Sequence, residues 1–487
     1  MGEGSSVLCV EAEPELAALA RSRMPPELAD DGRLAFLEGA SCDEAIATAA
    51  AMGSFRACSL VALSGGETLH ASLYEAMAGS LAAYFEAEWR NRAALMVLGP
   101  RWARNIFDNI AALPEIAPET LPRFPGPVVV CGAGPSLEEA LPLLRRERAA
   151  VGVIACDTAL GTLLAAGVEP DLVVCLEGQA HNLPDFTCLG RRPIALAADL
   201  SSHPATFRAV KGPKHLTFVR ITRSLFLGRI AAFLSAAGLP FIEVPPLGSV
   251  GVHAFHVARS LAAEAVLAAG LDFSFDPGKT HARGCPSILA EERRLDRLTR
   301  WPNQIAASFQ GRIMKVEGRL SDPILLSYAA LLANDAPESR RPEDGPELYD
   351  IRGRGPSIGG RRITLAQAEE LLRASASRKG GEADNAARAA AKAGRPGAEA
   401  RAAAAALSLL RDEKGRLAAL RGAMHGKKSL AREDFRRLVE ESDYLCWGFP
   451  DRDRIRELPQ DFLNRLVPQA EYWAYRIEAL EESLTRN

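Results

Sequence analysis

Apolar residues fall along this chain in two rhythms, and each rhythm predicts its own kind of element. In the middle third, short uninterrupted apolar runs recur between helical stretches. They are VVVCG at 128–132, VGVIACD at 151–157, DLVVCLEG at 171–178, PIALAAD at 193–199, HLTFVR at 215–220 and PFIEVPP at 240–246. Runs of this length read as parallel strands buried on both faces, with the intervening helices as crossovers. A helix is expected from about Val250 through AEAVLAAG, and the LDFSF after it is strand-like.

The flanks are patterned differently. Near the start, VLCVEA, LAFLEG at 34–39 and ACSLVAL at 57–63 read as strands, with a helix from Pro14 to Arg23, so a small α/β unit is expected. Beyond Gly66 the spacing turns helical through Ala76, Leu81, Tyr84 and Phe85, then Trp102, Ile106, Ile110 and Leu113. LPRFPGP at 121–127 reads as a linker. From about Thr364 helix formers dominate, in ITLAQAEELLRASAS and RAAAAALSLLRDEKGRLAALR. SRKGGEADNAARAAAKAGRPG between them is biased in Ala, Gly and charge and reads as a mobile connection or frayed helix end. The Trp/Tyr/Leu stripe of 431–480 reads as a core seam, with a partner-helix face as the other reading. The expected organisation is a small N-terminal α/β domain with a helical lead-in at 1–120, a doubly wound Rossmann-like α/β domain at 121–362 and an all-helical C-terminal domain at 363–487.

Composition narrows the class. A chain of 487 residues with 48% hydrophobic and 24% charged residues is globular and exceeds one ordinary core. A net charge of −3 gives no global footprint for nucleic acid. The nine cysteines form no CxxC pair and several sit in strand-like runs, so buried reduced thiols and a cytoplasmic location are expected. No signal peptide and no membrane span are expected.

Candidate chemistry lies where strands end. In CGAGPSLEEALPLL, Gly132 and Gly134 permit a tight turn and close approach of a ligand, with Ala133 and Pro135 between and after them. Ser136 is placed to cap a helix, with Glu139 completing an S-x-x-E box, and the helix N-terminus suits a phosphate. A plain capped strand–turn–helix junction is the other reading. Pro142 should shorten or kink that helix. Asp157 and Glu177 stand at the carboxyl ends of strands, where α/β folds bind ligands, and Thr158 follows Asp157. Asp171 starts its strand and reads as structural. Glu11 could touch a ribose but lacks a glycine-rich turn, so it too reads as structural. Gly248-Ser249 repeats the strand-end device before the Val250 helix. His253 and His256 are three apart, a spacing that suits a metal pair, but no third ligand accompanies them, so packing is the better reading and no metal site is expected. GLDFSFDPGKTHARG gathers Asp272, Asp276, Lys279 and His281 on one loop, and His281 suits a general base.

Taken in order, GAGPSL at 132–137, CDTALGTLLAAGVEPDLVVCLEG at 156–178, LGSVGVHAFHVA at 247–258 and GLDFSFDPGKTHARG at 270–284 resemble the Maf (motility accessory factor) family, whose central domain is also called MptE-like or DUF115. NIFDNIAALPEI at 105–116 and LYDIRGRGPSIGG at 348–360 extend the likeness over most of the chain. Leu247 before Gly248, and GLDFSF in place of a G-x-DLAF block, depart from the family pattern. The resemblance implies a sialyltransferase-like central domain. It implies transfer of a nonulosonic acid of pseudaminic or legionaminic type from a CMP-activated donor to Ser or Thr of flagellin. Gly132, Ala133, Gly134, Pro135, Ser136, Asp157, Thr158 and Ser249 would then bind the nucleotide sugar. Glu177, near the CMP phosphate, would be catalytic together with Asp272 and His281, which would act where the acceptor arrives. No cofactor is required by this reading, and Mg²⁺ assistance stays open. Two alternatives are a Mg²⁺-dependent diphosphokinase acting on a hydroxymethylpterin, with Asp157 and Glu177 holding the metal, and a non-enzymatic flagellin-binding accessory protein.

Overall fold

The computed structural model describes residues 5–53, 55, 58–62, 65–221, 224–246, 248–262, 264–298, 300–302, 305, 312–335, 345–378, 397–426 and 429–486. They divide into two compact units, Met1–Pro100 with Cys446–Phe462, and Arg101–Leu445 with Leu463–Asn487. SRKGGEADNAARAAAKAGRPG falls almost wholly outside the described residues.

In the first unit, β1 (Val7–Glu11) pairs in parallel with β2 (Leu34–Glu38). The helix Cys42–Met52 opens on a complete capping box, in which Ser41 and Glu44 satisfy each other's backbone N–H. Its Ala45 and Ala49 pack against Met77 and Leu81 of the helix Ala71–Ala111, with Leu8, Val10 and Leu37 of the strands closing the cluster. The strand expected at 57–63 is corrected: residues 58–62 form no strand, and Leu60 and Val61 are exposed. An apolar run makes a strand only where a sheet edge accepts its hydrogen bonds, and this sheet has two strands alone. Glu11 accepts a hydrogen bond from the Glu13 N–H, the structural role expected of it.

The second unit is built on a parallel nine-stranded sheet. Its strands are β3 (Val128–Cys131), β4 (Gly152–Cys156), β5 (Leu172–Cys175), β6 (Ala195–Asp199), β7 (Lys214–Val219), β8 (Phe241–Val244), β9 (Ala265–Ala269), β12 (Glu347–Asp350) and β13 (Arg361–Arg362). A separate antiparallel hairpin supplies β10 (Met314–Val316) and β11 (Arg319–Ser321). The sheet order is β13-β12-β9-β3-β4-β5-β6-β7-β8. The six runs read as strands are strands, and β3, β4 and β5 are buried along their whole length. Cys131, Cys156 and Cys175 are free, and burial pushes all three thiols up.

One expectation fails inside this sheet. The helix that starts at Val250 stops at Leu261, and Ala265–Ala269, read as its continuation, is a central strand between β3 and β12. LDFSF is the loop after that strand. A short Ala-rich apolar run suits either element, and only the two neighbouring strands decide it. Because β9 sits on the far side of β3 from β4, the chain reverses its direction of sheet growth between β3 and β9, which makes that junction a topological switch point.

The C-terminal part of the chain is helical, with helices at Leu365–Arg378, Ala398–Met424, Arg432–Glu441 and Gln460–Arg486. In the second unit, Trp473 meets Phe107 and Tyr444 at ring-centroid distances of 5.1 Å each, and Tyr444 meets Phe226 at 4.6 Å with the rings tilted. The aromatic stripe is thus core at Trp473, while Tyr472 and Tyr475 face solvent.

Candidate functional site

The glycines after β3 are demanded by the loop after β9. A Cβ on Gly132 would stand 2.4 Å from the Gly270 carbonyl oxygen, and one on Gly134 would stand 2.6 Å from Asp272 Cγ. The two loops are also stitched by hydrogen bonds, Gly132 N–H to Ala269 O and Gly134 N–H to Gly270 O, both at 2.8 Å. The expected close approach is real, but its partner is this chain's own backbone.

Ser136 behaves differently from expectation as well. It makes no side-chain cap, so the S-x-x-E box with Glu139 does not form. Its N–H donates to Asp272 Oδ2 at 2.9 Å, and its hydroxyl donates to Asp272 Oδ1. Arg319 of β11 completes the set, Nη1 to Asp272 Oδ2 at 3.0 Å. Asp272 and Arg319 are 2% and 1% exposed, so the carboxylate at this helix N-terminus is an internal one. Arg352 donates to the Leu271 carbonyl at 2.8 Å while pairing with Asp350, which holds the loop from the β12 side. The helix Leu137–Arg146 is ten residues long and carries Pro142 without a break.

His281 is brought to the same place. The Ala282 N–H donates to the Ala133 carbonyl at 2.8 Å, and Arg283 N–H and Lys279 both bond Glu138. The loop after β9 is thereby tied to the loop after β3, and His281, half-buried, stands next in the chain to the residue that bonds Ala133. Burial lowers the His281 pKa below its ordinary value, favouring a neutral imidazole. Its Nδ1 lies 3.0 Å from the Thr280 hydroxyl.

The helix that Ser249 precedes reaches the group at Gly251, through Leu271. Both Gly132 and Gly251 face Leu271 Cδ2, where an added Cβ at either glycine would come within 2.7 Å. Ser249 is the extended N-cap of the helix Val250–Leu261, and its side chain makes no capping bond. His253 on that helix is buried against the Thr217 hydroxyl at 2.8 Å, and burial takes its pKa down to about 3. Its ring is packed in the core. Among the described residues, no three His, Cys, Asp or Glu side chains are grouped to hold a metal ion.

At the end of β4, Asp157 is buried and accepts a hydrogen bond from Asn182 Nδ2 at 2.8 Å and from the Thr158 N–H at 2.9 Å. The Thr158 hydroxyl reaches Asp157 at 3.3 Å and Asp185 at 3.4 Å. Burial first, and the Asp157 charge second, raise Asp185 to about 7. Asn182 and Asp185 were not singled out from the sequence. They lie in HNLPDFTCL, which has no glycine signal and folds as a 3-10 turn over the ends of β4 and β5.

Glu177 is not part of these groups. Its Oε1 accepts from the Gln179 N–H at 2.7 Å, and Oε2 lies 3.7 Å from His181. Asp171 is structural, as expected, with Oδ2 taking the Val153 N–H and Oδ1 pairing with Arg148. The asparagines of NIFDNIAALPEI also gain a reason: Asn105 donates to the Gly178 and Ser201 carbonyls, and Asn109 to those of Leu200 and Ser202. They satisfy carbonyls of the turns after β5 and β6.

Residues 104–278 match the family described as 6-hydroxymethylpterin diphosphokinase MptE-like, a span that carries β3 to β9. An uncharacterized protein of Treponema pallidum (strain Nichols) is 26% identical over 507 residues, covering 99% of this chain and 85% of that protein. The solved structure of a Maf glycosyltransferase from Magnetospirillum magneticum AMB-1 is similar over 99% of this chain and 76% of its own, with a TM-score of 0.53 and 13% identity. This chain thus carries an MptE-like domain within a fold shared with a Maf glycosyltransferase along its length. No helix among the described residues is long and apolar enough to cross a membrane.

Proposed function

We propose that this protein is a glycosyltransferase that moves a nonulosonic acid from a CMP-activated donor to a Ser or Thr hydroxyl of flagellin. The observation that carries the reading is the fold shared with a Maf glycosyltransferase over 99% of the chain. The geometry adds support at the switch point, where Ala133 and Gly134, Ser249, Thr158 and His281 all stand partly open at the carboxyl edge of the sheet.

In this reading the donor phosphate lies over Ala133 and Gly134, and Ser249 with the first turn of its helix meets the sugar carboxylate. Asp272 is a positioning residue: it holds Ser136 and so the shape of the Gly132–Ser136 loop. Neutral His281 takes the proton of the acceptor hydroxyl as that oxygen attacks the anomeric carbon. The bond to the CMP oxygen breaks, and its electron pair leaves on the phosphate of CMP. Attack opposite the leaving group inverts the anomeric centre.

The test is incubation of the purified protein with CMP-activated pseudaminic or legionaminic acid and unmodified flagellin, read by intact mass and CMP release. Sugar addition with CMP release supports the reading. Binding of ATP·Mg²⁺ and a hydroxymethylpterin without any response to CMP would sink it in favour of the diphosphokinase reading, which the MptE-like match over 104–278 favours. Flagellin binding with no nucleotide response would favour the accessory role.

A further inference from the structure

The helix Ala71–Ala111 has two apolar faces, and up to Pro100 the first unit covers one of them. On the covered side Met77 and Leu81 pack on Ala45 and Ala49, and Leu95 is buried. Arg92 pairs with Asp453 there, and a Cβ on Gly99 would stand 2.8 Å from Trp447 Cβ. The other side carries Ala82, Glu86, Trp89, Ala93 and Met96, at intervals of four, three, four and three residues, with Val97 beside them. That is the spacing of a coiled-coil seam. Yet Trp89, Met96 and Val97 are 55%, 38% and 70% exposed. A tryptophan in the middle of an open apolar stripe is the composition of an interface.

Charge along the stripe selects its occupant. Between Gly79 and Pro100 the acids, Glu86 and Glu88, both precede Trp89, and the bases, Arg90 and Arg92, both follow it. The order is symmetric in sign reversal: Glu88 and Arg90 stand one residue from Trp89, Glu86 and Arg92 three. A second copy laid antiparallel, Trp89 on Trp89, sets acid against base on both sides. A parallel copy in register sets acid against acid and base against base, which is destabilising. Glu86 and Arg90 lie on one flank, 3.7 Å apart, so the antiparallel arrangement brings each within reach of its opposite on the second copy. Sizes match as well, since the small Ala82 falls opposite Met96. We propose that this face pairs with the same face of a second copy of the chain, antiparallel about a two-fold axis at Trp89. The contact is isologous and covers both indole rings along a seam about 27 Å long, from Gly79 to Val97.

Sedimentation velocity of the full chain over a series of concentrations tests this, and a dimer is expected. Trp89→Glu and Val97→Lys should each weaken it at least about thirtyfold. Circular dichroism and melting should stay unchanged, because both side chains face solvent in the single chain. Glu86→Arg and Arg90→Glu should each weaken the dimer about two- to fivefold. The double swap should restore it, a rescue that mere loss of structure would not give. Under mild oxidation Trp89→Cys should give a disulfide-linked dimer above the wild-type background. Ala82→Cys should not, because the two copies of that position stand about 20 Å apart, beyond disulfide reach. A wild type that is monomeric at every concentration, or a dimer untouched by both Trp89→Glu and Val97→Lys, overturns the pairing. So does a link at position 82, or none at position 89.

Discussion

Asp272 shows how burial redefines a residue that its loop sequence places at a reaction centre. Its carboxylate is shared between Ser136 and Arg319, and removing it would leave the buried guanidinium with only the longer contact to Asp276, at 3.5 Å. Asp272→Ala should therefore cost about 3–5 kcal/mol of stability, and Asp272→Ala with Arg319→Met distinctly less, as measured by chemical denaturation. His281 carries the opposite expectation. His281→Ala should lower kcat by about 10²–10⁴-fold with donor affinity kept, in a steady-state assay with CMP-activated sugar. Since burial holds its pKa below the ordinary 6.5, the acidic limb of the pH–rate profile should fall below that value. Asp185 links pH to stability. Its folded pKa of about 7 is raised from 3.8, so the folded form binds the extra proton and stability falls as pH rises between those values. Asp185→Asn should thus melt higher than the wild type at pH 8 and lose most of that advantage at pH 4, by thermal scans at both pH values. Asp157, Ser249 and the His281 loop were visible as strand-end polar residues. Arg319, Asn182 and Asp185 were not, because a contact across 47 residues or a 3-10 turn leaves no local periodicity.

At the scale of elements, β9 is the instructive case. AEAVLAAG has helix formers and no β-branched residue besides one valine, so local propensity points to helix. Tertiary pairing overrides it, with β3 on one side and β12 on the other. The six earlier strands were legible because each is a short, largely apolar run, five of them closed by Gly, Pro or Asp. β12 and β13 were not legible as strands in LYDIRGRGPSIGG and the Arg361–Arg362 pair that follows it, where glycine and arginine dominate. The glycine pair after β3 now belongs to packing between β3 and β9. Gly132→Ala should destabilise by about 1–3 kcal/mol, since the new methyl meets backbone at 2.4 Å and neither strand of a central sheet can yield. Urea denaturation of that variant measures it.

Across the second unit, long-range contacts tie distant stretches of chain. Trp473 near the C-terminus shares one aromatic cluster with Phe107, Phe226 and Tyr444, and the buried Glu413 takes Arg229 and the Tyr444 hydroxyl. Trp473→Ala should cost about 3–5 kcal/mol and expose the Gln460–Arg486 helix to limited proteolysis. By itself the sequence determined that the centre is a buried parallel α/β sheet, that polar residues gather at its carboxyl ends, and that helices follow. Those features are encoded in local runs of apolar residues and in the residue types that interrupt them. The tertiary structure alone decided that β9 and β12 complete the sheet, that Asp272 occupies the helix N-terminus with Arg319, and that Asn182 and Asp185 meet Asp157. Each of these depends on pairing or charge compensation between segments far apart in the chain, and no window of sequence contains both partners.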